Sequence, residues 1–235
     1  VWVRGEESAQ IVSPVVRPIV MLGLGLSVGT PGAGEGETGS TGLTAPLLVV
    51  ADEDELKALG REKVQGKIVL FDHPFYRTGD EMHDYGEAVK YRAAGPSMAA
   101  RLGAVACLVR SVATSTLRTP HTGGTWYDKD APKIPAAAVS IEDAMLLHRL
   151  FETGTEVRVE LVMNARTLED REGANVVAEI RGREKPDEIV LIGAHLDHLG
   201  LGEENSLDPK EAGQIHPGAD DNASGVAGLL EIAEA

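Results

Sequence analysis

The hydrophobic pattern of the chain alternates between short apolar runs and amphipathic stretches, the signature of strands exchanged with helices. Ala45–Val50, Gly66–Phe71, Ala104–Val109 and Ile134–Val139 are apolar runs bounded by Gly, Pro or charged residues, and each predicts a buried strand. Val157–Met163 alternates apolar and polar positions and predicts a half-buried strand. Between these runs, Asp52 to Leu59 predicts a short acidic helix that Asp52 or Asp54 can cap. Glu87 to Leu102 predicts a helix broken at Gly95-Pro96, with Ser97 capping the second piece and Gly103 ending it. Ile141–Glu152 predicts a helix closed by Gly154. Before them, Trp2 to Leu26 reads as strands bent at Pro14 and Pro18, and Thr30 to Gly42 as a Gly- and Thr-rich hinge. Gly23-Leu24-Gly25 is not a nucleotide loop, because the spacing to Gly29 is too long and no helix follows.

The last quarter of the chain repeats the alternation once more and adds chemistry to it. Ile189–Ile192 predicts a strand buried on both faces, followed by His195-Leu196-Asp197-His198. A polar loop then leads to Ala219-Asp220-Asp221-Asn222-Ala223-Ser224-Gly225, after which Val226, Leu229, Leu230 and Ala233 fall at helical spacing. Ligand sites of open α/β sheets collect outside the carboxyl ends of their strands. If the strand runs on, His195 and Asp197 share a face, with His198 on the other. Imidazole and carboxylate are zinc ligands, and a carboxylate can also hold the second ring nitrogen of a ligating His. His195 and Asp221 are the candidate ligands, and Asp197 the candidate orienting carboxylate. Alone, an H-x-D-H string is a common surface pattern and the second string could be a capped helix start. Found in order between a strand and a helix, they point to a metal site.

Composition narrows the partners. A net charge of −15 with no Lys/Arg cluster argues against nucleic acid and against an anionic membrane surface. No apolar run reaches the roughly 18 residues of a membrane span. Cys107, the sole cysteine, sits in an apolar run and reads as an inert buried thiol. His73, His83 and His121 fall in loops shaped by Pro and Gly, and His148 on a helix; they read as structural. Trp126 and Tyr127 read as packing anchors.

GAHLDH followed by GADDNASGVA resembles the di-zinc exopeptidases of metallopeptidase family twenty-eight. The resemblance implies that His195 ligates one zinc, that Asp197 orients it, and that Asp221 bridges two zinc ions ahead of a cis peptide bond to Asn222. GKIVLF, GAVACLV and IPAAAVS in this order resemble a protease-associated domain over roughly Thr44 to Arg166, a lid module without catalytic residues. WVRGEE and MLGLGLSVGTP, with TPHTGG, resemble carboxypeptidase Q-type members, whereas DDNASG resembles the bacterial aminopeptidases. The implied architecture is α/β: lead-in strands and hinge over 1–43, a mixed-sheet lid domain over 44–168, and the start of a zinc-peptidase α/β sandwich over 169–235. The family's general base, a Glu, and its remaining ligands lie beyond the bridging Asp, so the resemblance implies part of a longer enzyme, inactive alone. The expected activity is hydrolysis of short peptides with two zinc ions. The expected setting is secreted or periplasmic, without nucleic acid or membrane and with room for a homodimer. The rival readings are a non-catalytic binding module on a degenerate core, and a cobalt or manganese amidohydrolase or acyl-transferring cyclase.

Overall fold

The computed structural model describes residues 1–33, 40–76, 78–114, 117–198 and 213–234. It divides into two compact units, Val1–Arg171 and Glu172–Ala235. The middle of the hinge and most of the loop between the two metal motifs lie outside the described residues.

In the first unit the predicted alternation becomes a sheet with helices on both faces. Its strands are β1 (Trp2–Val3), β2 (Glu7–Ser13), β3 (Arg17–Ile19), β4 (Met21–Gly23), β5 (Leu43–Val50), β6 (Ile68–Phe71), β7 (Ala106–Arg110), β8 (Ala136–Val139), β9 (Arg158–Met163) and β10 (Arg166–Thr167). Eight of them form one sheet in the order β3-β2-β9-β5-β6-β7-β8-β4, while β1 and β10 pair separately. β5 through β8 are parallel to one another; β9, β2, β3 and β4 add antiparallel edges. The lead-in strands β2, β3 and β4 thus belong to the same sheet as the lid strands. On β2 the Glu7 carboxylate accepts the Gly23 N–H through both oxygens, at 2.9 and 3.0 Å, tying β2 to β4 from the far side of the strand order.

Each parallel strand splits its side chains between two cores, as the pleat requires. Leu47, Val49, Ile68, Leu70, Ala106 and Leu108 join one cluster with Ala144 and Leu147 of α3 (Ile141–Glu152). Leu48, Val50, Val69, Phe71, Cys107 and Val109 join the other. That second cluster includes Leu56 and Val64 of α1 (Glu53–Val64) and Tyr91, Ala99 and Ala100 of α2 (Glu81–Arg101). Strands buried on both faces therefore show no polar alternation, which is why they read as continuous apolar runs. Cys107 is fully buried as expected, and burial pushes its thiol pKa well up.

The helix ends follow the capping rules with one correction. Asp52 caps α1, accepting the Glu55 N–H at 2.8 Å, and Gly60 breaks α1 with φ of 64°. Ser140 caps α3 by accepting the Asp143 N–H at 3.1 Å. The expected break at Gly95-Pro96 does not occur: α2 runs through Pro96. Pro96 has no N–H to give to the Arg92 carbonyl. The next carbonyl, that of Ala93, accepts the Trp126 N–H at 2.9 Å and the Thr125 hydroxyl at 3.0 Å from outside the helix. Ser97, expected as a cap, is buried within α2 and its Oγ accepts the Asp128 N–H at 2.9 Å.

In the second unit the correction is larger. Ile189, Val190 and Leu191 are 86, 87 and 90 % exposed and form no strand. A strand exists by pairing its backbone groups with neighbours, and no described residue of this unit offers an edge to 189–192. The predicted helix is present as α4 (Ser224–Glu234), preceded by a π turn at Ala219–Ala223.

Candidate metal centre

The second unit brings the two sequence motifs together. His195 Nε2 lies 2.9 Å from Asp221 Oδ1. Two local devices aim these groups. His195 Nδ1 donates to the main-chain carbonyl of Asp197 at 2.8 Å, which fixes the ring and leaves Nε2 facing Asp221. That hydrogen bond raises the His195 pKa above the ordinary imidazole value, with the Asp221 charge acting the same way. Asp221 sits inside the π turn, at φ −115° and ψ 86°, and its peptide bond to Asn222 is cis, as the family resemblance implies. Gly218 opens the turn in the left-handed region, and the Ala223 N–H closes it on the Gly218 carbonyl at 2.9 Å. π turns of this kind are frequent at functional sites.

Asp197 reaches His195 chiefly through its backbone; its carboxylate Oδ1 is 3.6 Å from Nδ1 and the side chain is 91 % exposed. His198 departs from expectation. Because residues 189–198 form no strand, the alternation that would turn it away does not apply. It lines the same cavity, of about 150 Å³, with His195, Gly218, Asn222 and Val226, and its Nδ1 lies 4.0 Å from Asp221 Oδ2. Nothing in the sequence beyond its adjacency to Asp197 marked it.

An imidazole nitrogen and a carboxylate oxygen 2.9 Å apart suit two neighbouring corners of a zinc tetrahedron, whose edge is about 3.3 Å for ligand bonds of about 2.0 Å. The donor types and their convergence fit the cation. Among the described residues no group of three or more His, Cys, Asp or Glu side chains is arranged to hold a metal.

The loops of the first unit hold the other singled-out residues. Arg92 on α2 donates to the Thr122 carbonyl at 3.1 Å and to the Tyr85 hydroxyl at 3.0 Å, fixing the TPHTGG loop. His121 in that loop has its pKa lowered by burial and then by the Arg92 charge. His73 packs on the Tyr91 ring, with ring centroids 4.9 Å apart. Tyr127 is an anchor as expected, its hydroxyl donating to the Ile134 carbonyl at 2.5 Å, whereas Trp126 is 64 % exposed and is not. His148 is structural: its Nδ1 faces the buried Asp72 carboxylate.

Comparison with known proteins agrees with the two motifs. The family described as Peptidase family M28 matches residues 175–235, and the PA domain matches residues 33–147. The chain is 40 % identical over 202 residues to Carboxypeptidase Q of Xenopus laevis, covering 86 % of this chain and 40 % of that protein. It is 30 % identical over 190 residues to the Probable leucine aminopeptidase 2 of Arthroderma benhamiae, covering 80 % of this chain and 31 % of that protein. The crystal structure of a Peptidase M28 precursor from Shewanella amazonensis superposes with a TM-score of 0.72 at 35 % identity, over 87 % of this chain and 44 % of that one. The chain therefore spans about 40 % of the length of the carboxypeptidase Q proteins it matches. Among the described residues no helix is long and apolar enough to cross a membrane.

Proposed function

Since residues 175–235 belong to peptidase family M28 and residues 33–147 form a PA domain, we propose that the whole protein is a zinc-dependent exopeptidase acting on short peptides. The observation that carries this reading is the approach of His195 Nε2 to Asp221 Oδ1. The chemistry that a pair of bound zinc ions supplies is Lewis acidity, which polarises a scissile carbonyl and brings the pKa of water towards ~7. His195 contributes one nitrogen, held in orientation by its Nδ1 hydrogen bond. Asp221 would supply its carboxylate, whose Oδ1 lies 2.9 Å from His195 and whose Oδ2 lies 4.0 Å from His198. Asp197 orients the ring from its carbonyl and holds its carboxylate nearby. The PA domain restricts access to small substrates.

Two protein donors cannot satisfy two four-coordinate ions. The 235-residue chain by itself is therefore expected to leave dipeptides uncut. The test is dipeptide hydrolysis by the full-length polypeptide before and after chelation, with zinc add-back, beside the same assay on His195→Ala and Asp221→Ala. Activity lost on chelation, restored by zinc and absent from both variants is the expected result. Activity indifferent to chelator, or unchanged in either variant, sinks the reading.

A further inference from the structure

Resting on that reading of the metal centre, we propose that His198 is a positioning residue for Asp221, joining the first metal motif to the loop that delivers the second. Three observations carry this. First, His198 has the most enclosed imidazole of its motif: its side chain is 24 % exposed, against 52 % for His195. Second, the loop before Asp221 is moulded on the His198 ring. A Cβ at Gly218 would fall 2.8 Å from His198 Cγ, 2.9 Å from its Cβ and 2.6 Å from the Asp221 carbonyl oxygen. Only glycine permits that approach, and Gly218 also adopts φ of 62°, a region that side chains disfavour. The ring is flanked on another side by His216, the two ring centroids lying 6.2 Å apart edge to face. Third, the ring presents Nδ1 to the oxygen of Asp221 that His195 does not use. At 4.0 Å this is a facing polar contact and not a hydrogen bond.

The two imidazoles of His195-Leu196-Asp197-His198 therefore face the two oxygens of one carboxylate. His195 faces Oδ1 as a candidate ligand. His198 fills the space behind Oδ2 and sets, through Gly218, where the π turn begins. Partners that orient a metal ligand typically change metal affinity 10- to 100-fold when removed. Asparagine is the informative replacement, because its side-chain amide reaches the place of the imidazole Nδ1 while leaving out the distal nitrogen.

The experiment measures zinc affinity of the full-length polypeptide by competition with a chromophoric chelator, for the parent sequence, His195→Ala, His198→Ala and His198→Asn. Cobalt-loaded samples supply visible spectra that report the ligand set. The expected result is that His195→Ala abolishes tight binding, His198→Ala weakens it about 10- to 100-fold, and His198→Asn recovers most of the loss, with cobalt band positions unchanged in both His198 variants. If His195→Ala abolishes binding while His198→Ala binds as the parent does, the positioning role is overturned and the metal centre stands. If His198→Ala shifts the cobalt bands and Asn does not rescue, His198 is a ligand and the positioning role is again overturned. If the parent binds no zinc that depends on His195, the metal reading fails and takes this inference with it.

Discussion

The imidazole Nδ1 of His148 lies 2.5 Å from Oδ2 of Asp72, while the other oxygen of Asp72 accepts from Arg110 Nη1 at 2.9 Å. Asp72 follows β6, Arg110 ends β7 and His148 stands on α3, so one carboxylate ties two parallel strands to a helix. Asp72 is 5 % exposed and Arg110 14 %.

Removing that carboxylate strands a nearly buried guanidinium. Asp72→Ala is expected to cost about 3–5 kcal/mol, the penalty for an uncompensated buried charge. His148→Ala, at a side chain 41 % exposed, is expected to cost about 1 kcal/mol or less. Urea unfolding of the two variants, followed through the first unit, checks the order; equal losses would show that the cluster is not organised by Asp72.

His121 titrates below the ordinary imidazole range because the folded loop buries it and then because Arg92 is close. The unfolded chain therefore takes up the proton first as pH falls. The contribution to stability is present above the ordinary imidazole value of 6.5 and is lost on acidification below it. An NMR titration of the ring is expected to show the depressed value, and Arg92→Met to raise it part of the way. An unshifted His121 would mean that the loop is not packed as described.

Glu7 moves the opposite way. Burial raises its pKa against the lowering by the Gly23 N–H and by Arg4. The folded state then holds the proton more tightly than the unfolded chain does. Its contribution is full below the ordinary carboxyl value of 4.5 and declines as pH rises through the higher native value. Glu7→Gln retains an acceptor for Gly23 and removes the titration. Its denaturation midpoint is expected to vary less than the parent's between about pH 4 and pH 7.

Gly29 is closed to any side chain. A Cβ there would meet the Met163 carbonyl oxygen at 2.6 Å and that of Ala165 at 2.7 Å, both backbone atoms of the segment that leaves β9. Gly29→Ala is expected to destabilise the first unit by about 1–3 kcal/mol through overpacking. A thermal midpoint equal to that of the parent would contradict this packing.

The parallel strands and α3 could be read from the chain because their determinants are local. Asp52 stands at a helix start, and Ile141–Glu152 is bounded by Ser140 and Gly154. Contacts between distant residues could not be read in this way. The Ala93 carbonyl of α2, beside Pro96, is met by Thr125 and Trp126, about thirty positions on. Residues 189–192 have the composition of a buried strand, but composition says nothing of whether an edge is there to receive it. Asp72 and Arg110 did leave a signal, each being a charge placed directly after an apolar run in neighbouring predicted strands. At the candidate metal centre, the motif spacing named His195 and Asp221. The position of His198 could not be read, because the rule used to orient it presumed a strand.

Pro96 gives the first unit a joint where a break was expected. The Ala93 carbonyl, three residues before the proline, receives the start of the segment that carries Trp126 and Tyr127. The loop is thereby moored to the helix as well as to Gly25 beyond β4, with Arg92 holding Thr122 one residue earlier along α2. Both helix moorings sit on a single turn, so a shift or rotation of that turn would pull residues 121–126 against their hold on Gly25 and Ser111.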